Sequence, residues 1–108
     1  MTDPLSAELF VKQTNVDMLA VTIGNVHGHY SREPQLDFSR LEDIARRVPK
    51  GLPLVLHGAS GLPGTLIHGA VSRGVCKFNV NTDLRAAAMK FVRDAVSKNP
   101  KVSSARYV

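Results

Sequence analysis

Three short apolar runs, at 18–23, 53–57 and 75–80, constrain this chain more than any other feature. Met18, Leu19, Ala20, Val21 and Ile23 are apolar almost without interruption, and Leu54, Val55 and Leu56 wholly so, a pattern that fits strands buried on both faces. Helical periods follow each run. Asp37 offers a cap for Phe38, Leu41, Ile44, Ala45 and Val48, which share one helical face before Pro49 and Gly51. A helix over 63–73 carries Leu66, Ile67, Ala70 and Val71 and closes at Gly74. Asn81, Thr82 and Asp83 stand where a cap belongs, ahead of an expected buried face of Leu84, Ala87, Ala88, Phe91, Val92 and Ala95. Ahead of all three units, Thr2 or Asp3 caps a helix over 4–13, with Pro4 in its first turn, Leu5, Leu9 and Phe10 at helical spacing, and Asn15 as its stop. One helix and then three strand–helix units with short connections predict an α/β fold, a parallel sheet covered by helices.

A chain of 108 residues is one domain at most, well short of the roughly 250 that a closed (β/α)8 barrel uses. Its 44% apolar and 21% charged content is that of a globular protein. No apolar run approaches the ~18 residues of a membrane span, and Met1, Thr2, Asp3 and Pro4 lack the basic-then-apolar layout of a secretory leader, so an intracellular, cytoplasmic location without a membrane partner is expected. The single Cys76 excludes an internal disulfide and reads as a small buried hydrophobe in its strand. Charge is uneven: residues 1–45 hold 3 basic and 7 acidic side chains, and residues 46–108 hold 11 and 2. Arg73, Lys77, Arg85, Lys90, Arg93 and Lys98 are spread singly without interleaved aromatics, as on solvated helix faces and unlike a nucleic-acid surface. That field also suits a small phosphorylated ligand. Residues 1–98 carry the pattern of the domain, and 99–108 read as a tail.

Polar residues gather where the strands end. His27 lies just beyond the first run, His57 closes the second, and Asn79, Asn81, Thr82 and Asp83 close the third, all at the carboxyl edge where parallel α/β folds bind ligands. From His57 the chain continues Gly58, Ala59, Ser60, Gly61, Leu62, Pro63, a glycine-rich turn into a helix. Its Gly58, Ser60 and Gly61 N–H groups can face an anion at the positive end of the helix dipole, although the same stretch also serves as a plain turn with Ser60 as its cap. Two imidazoles from neighbouring strand ends can share a metal such as Zn²⁺, but their 30-residue separation is not itself a motif. A metal beside two helix N-termini, at Ser60 and Gly61 and at Thr82 and Asp83, suits a phosphorylated ketone or alcohol whose oxygen the metal polarises. His29 falls two residues past His27, on the outer side of the loop, and His68 falls mid-helix, where a solvated or packed ring is expected.

Three strings carry a family resemblance. Leu19, Ala20 and Val21 lead to Gly24-Asn25-Val26-His27-Gly28, Leu54-Val55-Leu56 leads to His57-Gly58-Ala59-Ser60-Gly61-Leu62-Pro63, and Lys77-Phe78 leads to Asn79-Val80-Asn81-Thr82-Asp83. In this order, over about residues 2–95, the chain resembles the class II, metal-dependent ketose-bisphosphate aldolases. The resemblance implies a (β/α)8 TIM barrel, of which this chain would be the later part with about three β–α units. It implies reversible cleavage of fructose or tagatose 1,6-bisphosphate to glycerone phosphate and glyceraldehyde 3-phosphate by a homo-oligomeric enzyme. It also implies a Zn²⁺ cofactor held by His27 and His57, with Gly28, Gly58, Ala59, Ser60, Asn79, Val80, Asn81 and Thr82 around glycerone phosphate.

The family's third zinc histidine and its catalytic aspartate are expected in barrel that precedes residue 1, and neither His29 nor His68 replaces them. The chain is therefore expected to be part of a longer enzyme and inactive alone. Two other function classes fit the pattern: a non-catalytic sugar-phosphate-binding module, and a nucleic-acid binder using the basic 46–108 half, which a steep salt dependence of binding would reveal.

Overall fold

The computed structural model describes residues 1–28 and 30–99. His29 and the greater part of the expected tail, residues 100–108, lie outside the described residues. Seven elements follow in order: α1 (Pro4–Thr14), β1 (Leu19–Val21), α2 (Phe38–Arg47), β2 (Leu54–Leu56), α3 (Gly64–Val71), β3 (Val75–Phe78) and α4 (Thr82–Lys98). The strands form one parallel sheet in the order β1-β2-β3. Leu19, Ala20 and Val21 lie opposite Leu54, Val55 and Leu56, and the pairing of β2 with β3 slips once between Leu54 and Val55. Every apolar run of the sequence becomes a strand, trimmed at its ends.

Local chemistry sets the helix boundaries. Asp3 accepts the Ser6 N–H at 2.8 Å and Asp37 the Arg40 N–H at 2.9 Å, while Asn15 ends α1 in a left-handed conformation, φ +51°, with its N–H on Val11. The core fills one face of the sheet with Leu19, Val21, Ile23, Leu54, Leu56 and Val75 beneath Leu41, Ile44 and Val48 of α2 and its margin and Ala70 of α3. Gly69 of α3 meets the Phe38 ring so closely that a Cβ there would lie 2.7 Å from it. The Arg73 guanidinium covers that ring at 4.7 Å and reaches Glu42 at 2.7 Å.

Several expectations are corrected. Of the two runs expected to be buried on both faces, the central strand β2 is, with Leu54, Val55 and Leu56 all buried, but the edge strand β1 is not: Leu19 and Val21 are buried and Ala20 is exposed. α1 meets α2 through Ala7 and Val11, whose small side chains permit close approach, and Leu5, Leu9 and Phe10 face away, about half exposed. Val71 of α3 is also exposed, and Cys76 is not a buried hydrophobe because β3 is an edge strand. No residue of α4 is buried, and Leu84 is 67% exposed, since the helix projects from the sheet. The projection is visible in a radius of gyration of 18.2 Å, against the roughly 13 Å of a compact chain this long. Among the described residues no helix is long and apolar enough to cross a membrane.

Truncating Ile44 to Ala is expected to cost about 2–5 kcal/mol, whereas Leu84→Ala should stay within about 0.5 kcal/mol; chemical denaturation of both variants checks the contrast. Acid should also loosen the helix layer. Bonds from Ser6 and Arg40 N–H groups hold the Asp3 and Asp37 carboxyls below their ordinary range, and Lys12 with Arg47 does the same for Glu8. Groups depressed on folding contribute stability that is fully present above the unfolded value, about 4, and lost as pH falls through the lower folded values. The melting temperature of the wild type should therefore drop over that acid range, and the Asp3→Asn, Asp37→Asn double variant should show a shallower drop.

Candidate functional site

The three strand ends meet at one cleft. His27, Gly28, His57, Gly58, Ser60, Asn79, Asn81 and Thr82 line a hollow of about 260 Å³ at the carboxyl edge. Of the zinc and glycerone phosphate residues that the resemblance implies, Ala59 and Val80 stand outside this lining, as does Asp83 at the third strand end: Ala59 is buried beneath the turn and Val80 is about half exposed. His68 lies on α3, exposed and away from the cleft, in the solvated role expected of it.

Backbone ladders carry past the strands and hold the loops. The Asn79 N–H donates to the Leu56 carbonyl at 2.9 Å, and the Asn79 carbonyl accepts from the Ala59 N–H at 3.1 Å. Asn25 ties the first loop to the second: its Oδ1 accepts the Ile23 N–H at 2.8 Å and its Nδ2 donates to the His57 carbonyl at 2.9 Å. The Tyr30 hydroxyl adds another tie, donating to the Gly58 carbonyl at 3.0 Å and accepting the Val26 N–H at 3.3 Å. These bonds set His27 beside His57 with ring centroids 5.9 Å apart and planes at 64°. Nothing in the sequence assigns Asn25 or Tyr30 this role, because long-range side-chain bonds have no periodicity to reveal them.

Asn79 also touches the His57 ring. Lys77 Nζ lies 2.6 Å from Asn79 Oδ1, and Asn79 Nδ2 lies 3.3 Å and 3.1 Å from the two ring nitrogens of His57. A donor nearly equidistant from both nitrogens lies on the lone-pair axis of neither, so a His57 lone pair stays open. Among the described residues no hydrogen bond engages the His27 ring. At 5.9 Å, one nitrogen from each ring can reach a common ion with metal–nitrogen bonds of about 2.0–2.1 Å, so this donor set fits part of a metal site. No group of three His, Cys, Asp or Glu able to surround a metal occurs among the described residues.

The turn after β2 differs from its expected form. Ser60 does not cap α3, whose N-cap is Pro63 without a side-chain bond; its Oγ accepts the Asp83 N–H of α4 at 3.2 Å. Asn81 makes no side-chain cap on α4, and the Asp83 carboxylate accepts the Gly61 N–H at 3.0 Å. Gly61 is therefore not free to face an anion, and Ala59 and Leu62 are likewise spent on Asn79 and Ala59 carbonyls. The N–H groups of Gly58, Ser60, Asn81 and Thr82 have no acceptor among the described residues, and their residues line the cleft.

Against known proteins, residues 1–108 match the model of the family described as fructose-bisphosphate aldolase class-II. The chain belongs to that family. It is 41% identical to the YdjI aldolase from Escherichia coli K12, covering 97% of this chain and 36% of that one with a TM-score of 0.73. It is 37% identical to a relative from Coccidioides immitis, over 98% and 36% of the two chains with a TM-score of 0.79. A fructose-bisphosphate aldolase from Campylobacter jejuni is 30% identical over 92% and 32%, with a TM-score of 0.70. This aldolase-family chain thus spans about a third of the length of those structures.

Gly58 shows how closely the loops are fitted. Its φ is +64°, and a Cβ there would overlap the Val26 carbonyl of the preceding loop. Gly58→Ala is expected to cost more than about 1 kcal/mol, whereas Gly64→Ala, in open space at the start of α3, should be neutral or gain up to about 1 kcal/mol. Urea unfolding of the two variants makes the comparison.

Proposed function

We propose that this chain is the later part of a (β/α)8 barrel of a zinc-dependent ketose-bisphosphate aldolase, which reversibly cleaves fructose or tagatose 1,6-bisphosphate to glycerone phosphate and glyceraldehyde 3-phosphate. The single observation carrying this reading is the cleft, in which two imidazoles adjoin two turns with unspent backbone donors. Family membership, and relatives of which the chain covers about a third, support its place in a larger barrel. A homo-oligomeric, cytoplasmic enzyme belongs to the same reading.

His27 and His57 would hold the Zn²⁺, which when bound supplies a Lewis acid for a ketone oxygen. The other parts of the reaction rest on this chain's own groups. Gly28, Gly58, Ser60, Asn79, Asn81 and Thr82 would line the glycerone phosphate subsite, with Ala59 and Val80 backing it from outside the cleft, and the N–H groups of Gly58, Ser60, Asn81 and Thr82 would receive the phosphate. Anions favour such donors at the amino end of α4, where the helix dipole adds positive potential. Ser60 is 3% exposed, and its Oγ accepts from Asp83, which leaves its proton to donate into the cleft. Asn79 Nδ2, held beside the His57 ring, can donate to an oxygen of the ligand. None of these groups is a carboxylate placed to move a proton at the substrate, so turnover calls on groups elsewhere in the full enzyme.

The chain is expected to bind Zn²⁺ weakly, with affinity lost in His27→Ala and in His57→Ala, and Ser60→Ala should weaken glycerone phosphate by about 1–2 kcal/mol while sparing zinc. Calorimetric titration with each ligand checks this. A coupled cleavage assay with added Zn²⁺ should give no turnover for the chain alone and turnover once the complementary part of the barrel is supplied. Robust cleavage by the chain alone would refute the division of labour.

A further inference from the structure

We infer that Asp83 is a positioning residue that locks the turn after β2 to the start of α4, and so aligns the donors of the phosphate cradle. The inference rests on the sugar-phosphate reading above and adds a residue that lies outside the cleft lining.

Its basis is a reciprocal pair of bonds across 22 and 23 residues of sequence. The Asp83 carboxylate accepts the Gly61 N–H at 3.0 Å, and the Asp83 N–H donates to Ser60 Oγ at 3.2 Å. A capping box works in the same reciprocal way within one helix; here the exchange joins two. Among the described residues little else holds this corner. α4 buries no residue, its own N-cap makes no side-chain bond, and the backbone tie from Ala59 to Asn79 fixes only the base of the two loops. Asn81 and Thr82, which line the cleft, sit between that tie and Asp83, so their donors are bracketed by the two anchors.

The carboxylate is exposed, and packing therefore does not explain its place. Two physical effects oppose each other. A negative charge beside the cradle repels a phosphate, so by Coulomb's law alone removing it would strengthen binding. If alignment dominates, the same removal weakens binding, because Gly61, Ser60 and the first turn of α4 lose their common reference. The exposed charge is strongly screened, whereas misplaced donors lose their full bonds, so alignment should win.

The test uses the full chain as wild type, Asp83→Ala and Asp83→Asn. Amide exchange is read at Gly61, and calorimetry gives the affinities for glycerone phosphate, inorganic phosphate and Zn²⁺. Asp83→Ala should unprotect the Gly61 amide and weaken glycerone phosphate and inorganic phosphate roughly 5- to 30-fold, the effect of one charge-assisted hydrogen bond, with zinc affinity within about twofold. Asp83→Asn, which keeps an acceptor and loses the charge, should restore both readouts to within about threefold. Unchanged or tighter phosphate binding by Asp83→Ala would overturn the inference, as would zinc and phosphate affinities falling together. If the wild type binds neither phosphate ligand but Gly61 still loses and regains protection across the variants, the sugar-phosphate reading fails and the lock itself is supported.

Discussion

The backbone of Asn79 is the joint on which the carboxyl edge depends. By donating to Leu56 and accepting from Ala59, it continues the β2–β3 ladder one step beyond the strands and turns the chain after β2 back over the sheet. Because the ladder is parallel, equivalent ends of the strands lie at one edge, and loops that begin there start close together. Strands of three or four residues suffice for this, since their pairing has only to fix register. Asn25 extends the same logic to the first loop by satisfying one N–H of its own loop and one carbonyl of its neighbour's.

The core lies on one side of the sheet. Leu54 and Leu56 point toward α2 and α3, whereas the opposite face carries the cross-strand row Ala20, Val55 and Lys77. Val55 is only 2% exposed, and Ala20 and Lys77 on either side of it are exposed. In the proposed barrel that row would face the interior, and the apolar stripe of α4 would face an outer neighbour. The same amphipathic pattern thus gives a buried helix in α2 and an exposed one in α4. Periodicity states which face is apolar, and only tertiary neighbours decide whether it is covered.

This distinction separates what was legible in the sequence from what was not. Asp3, Asp37 and Asn15 act within four residues of themselves, so their capping roles followed from residue type and position. The strand ends followed equally, because apolar runs that stop at histidine or asparagine have few other readings. In α1 the burial of Ala7 in place of Leu9 was not legible, since close helix approach selects small residues and hydrophobicity alone favours large ones. Ser60 looked like a cap for the helix that follows it, and it caps the next helix along instead. Nothing local distinguishes those outcomes: both put a hydroxyl beside an orphan N–H, and the parallel sheet decides which N–H is nearer.

Lys77 illustrates a constraint that neither burial nor periodicity expresses. An ammonium group has donors and no acceptor, so the atom of Asn79 that faces it must be the amide oxygen. Once Oδ1 is held there, Nδ2 has to point toward His57, and the amide presents a donor to the cleft in place of an acceptor. Lys77 thereby sets the polarity of a group two residues away without lining the cleft itself. The effect suits the proposed phosphate cradle, whose unspent backbone groups are also donors: a donor added there would favour an oxygen anion, and an acceptor in the same place would oppose it. A lysine that reads as one more solvated charge in the composition is, in the fold, what decides which end of the Asn79 amide faces the cleft.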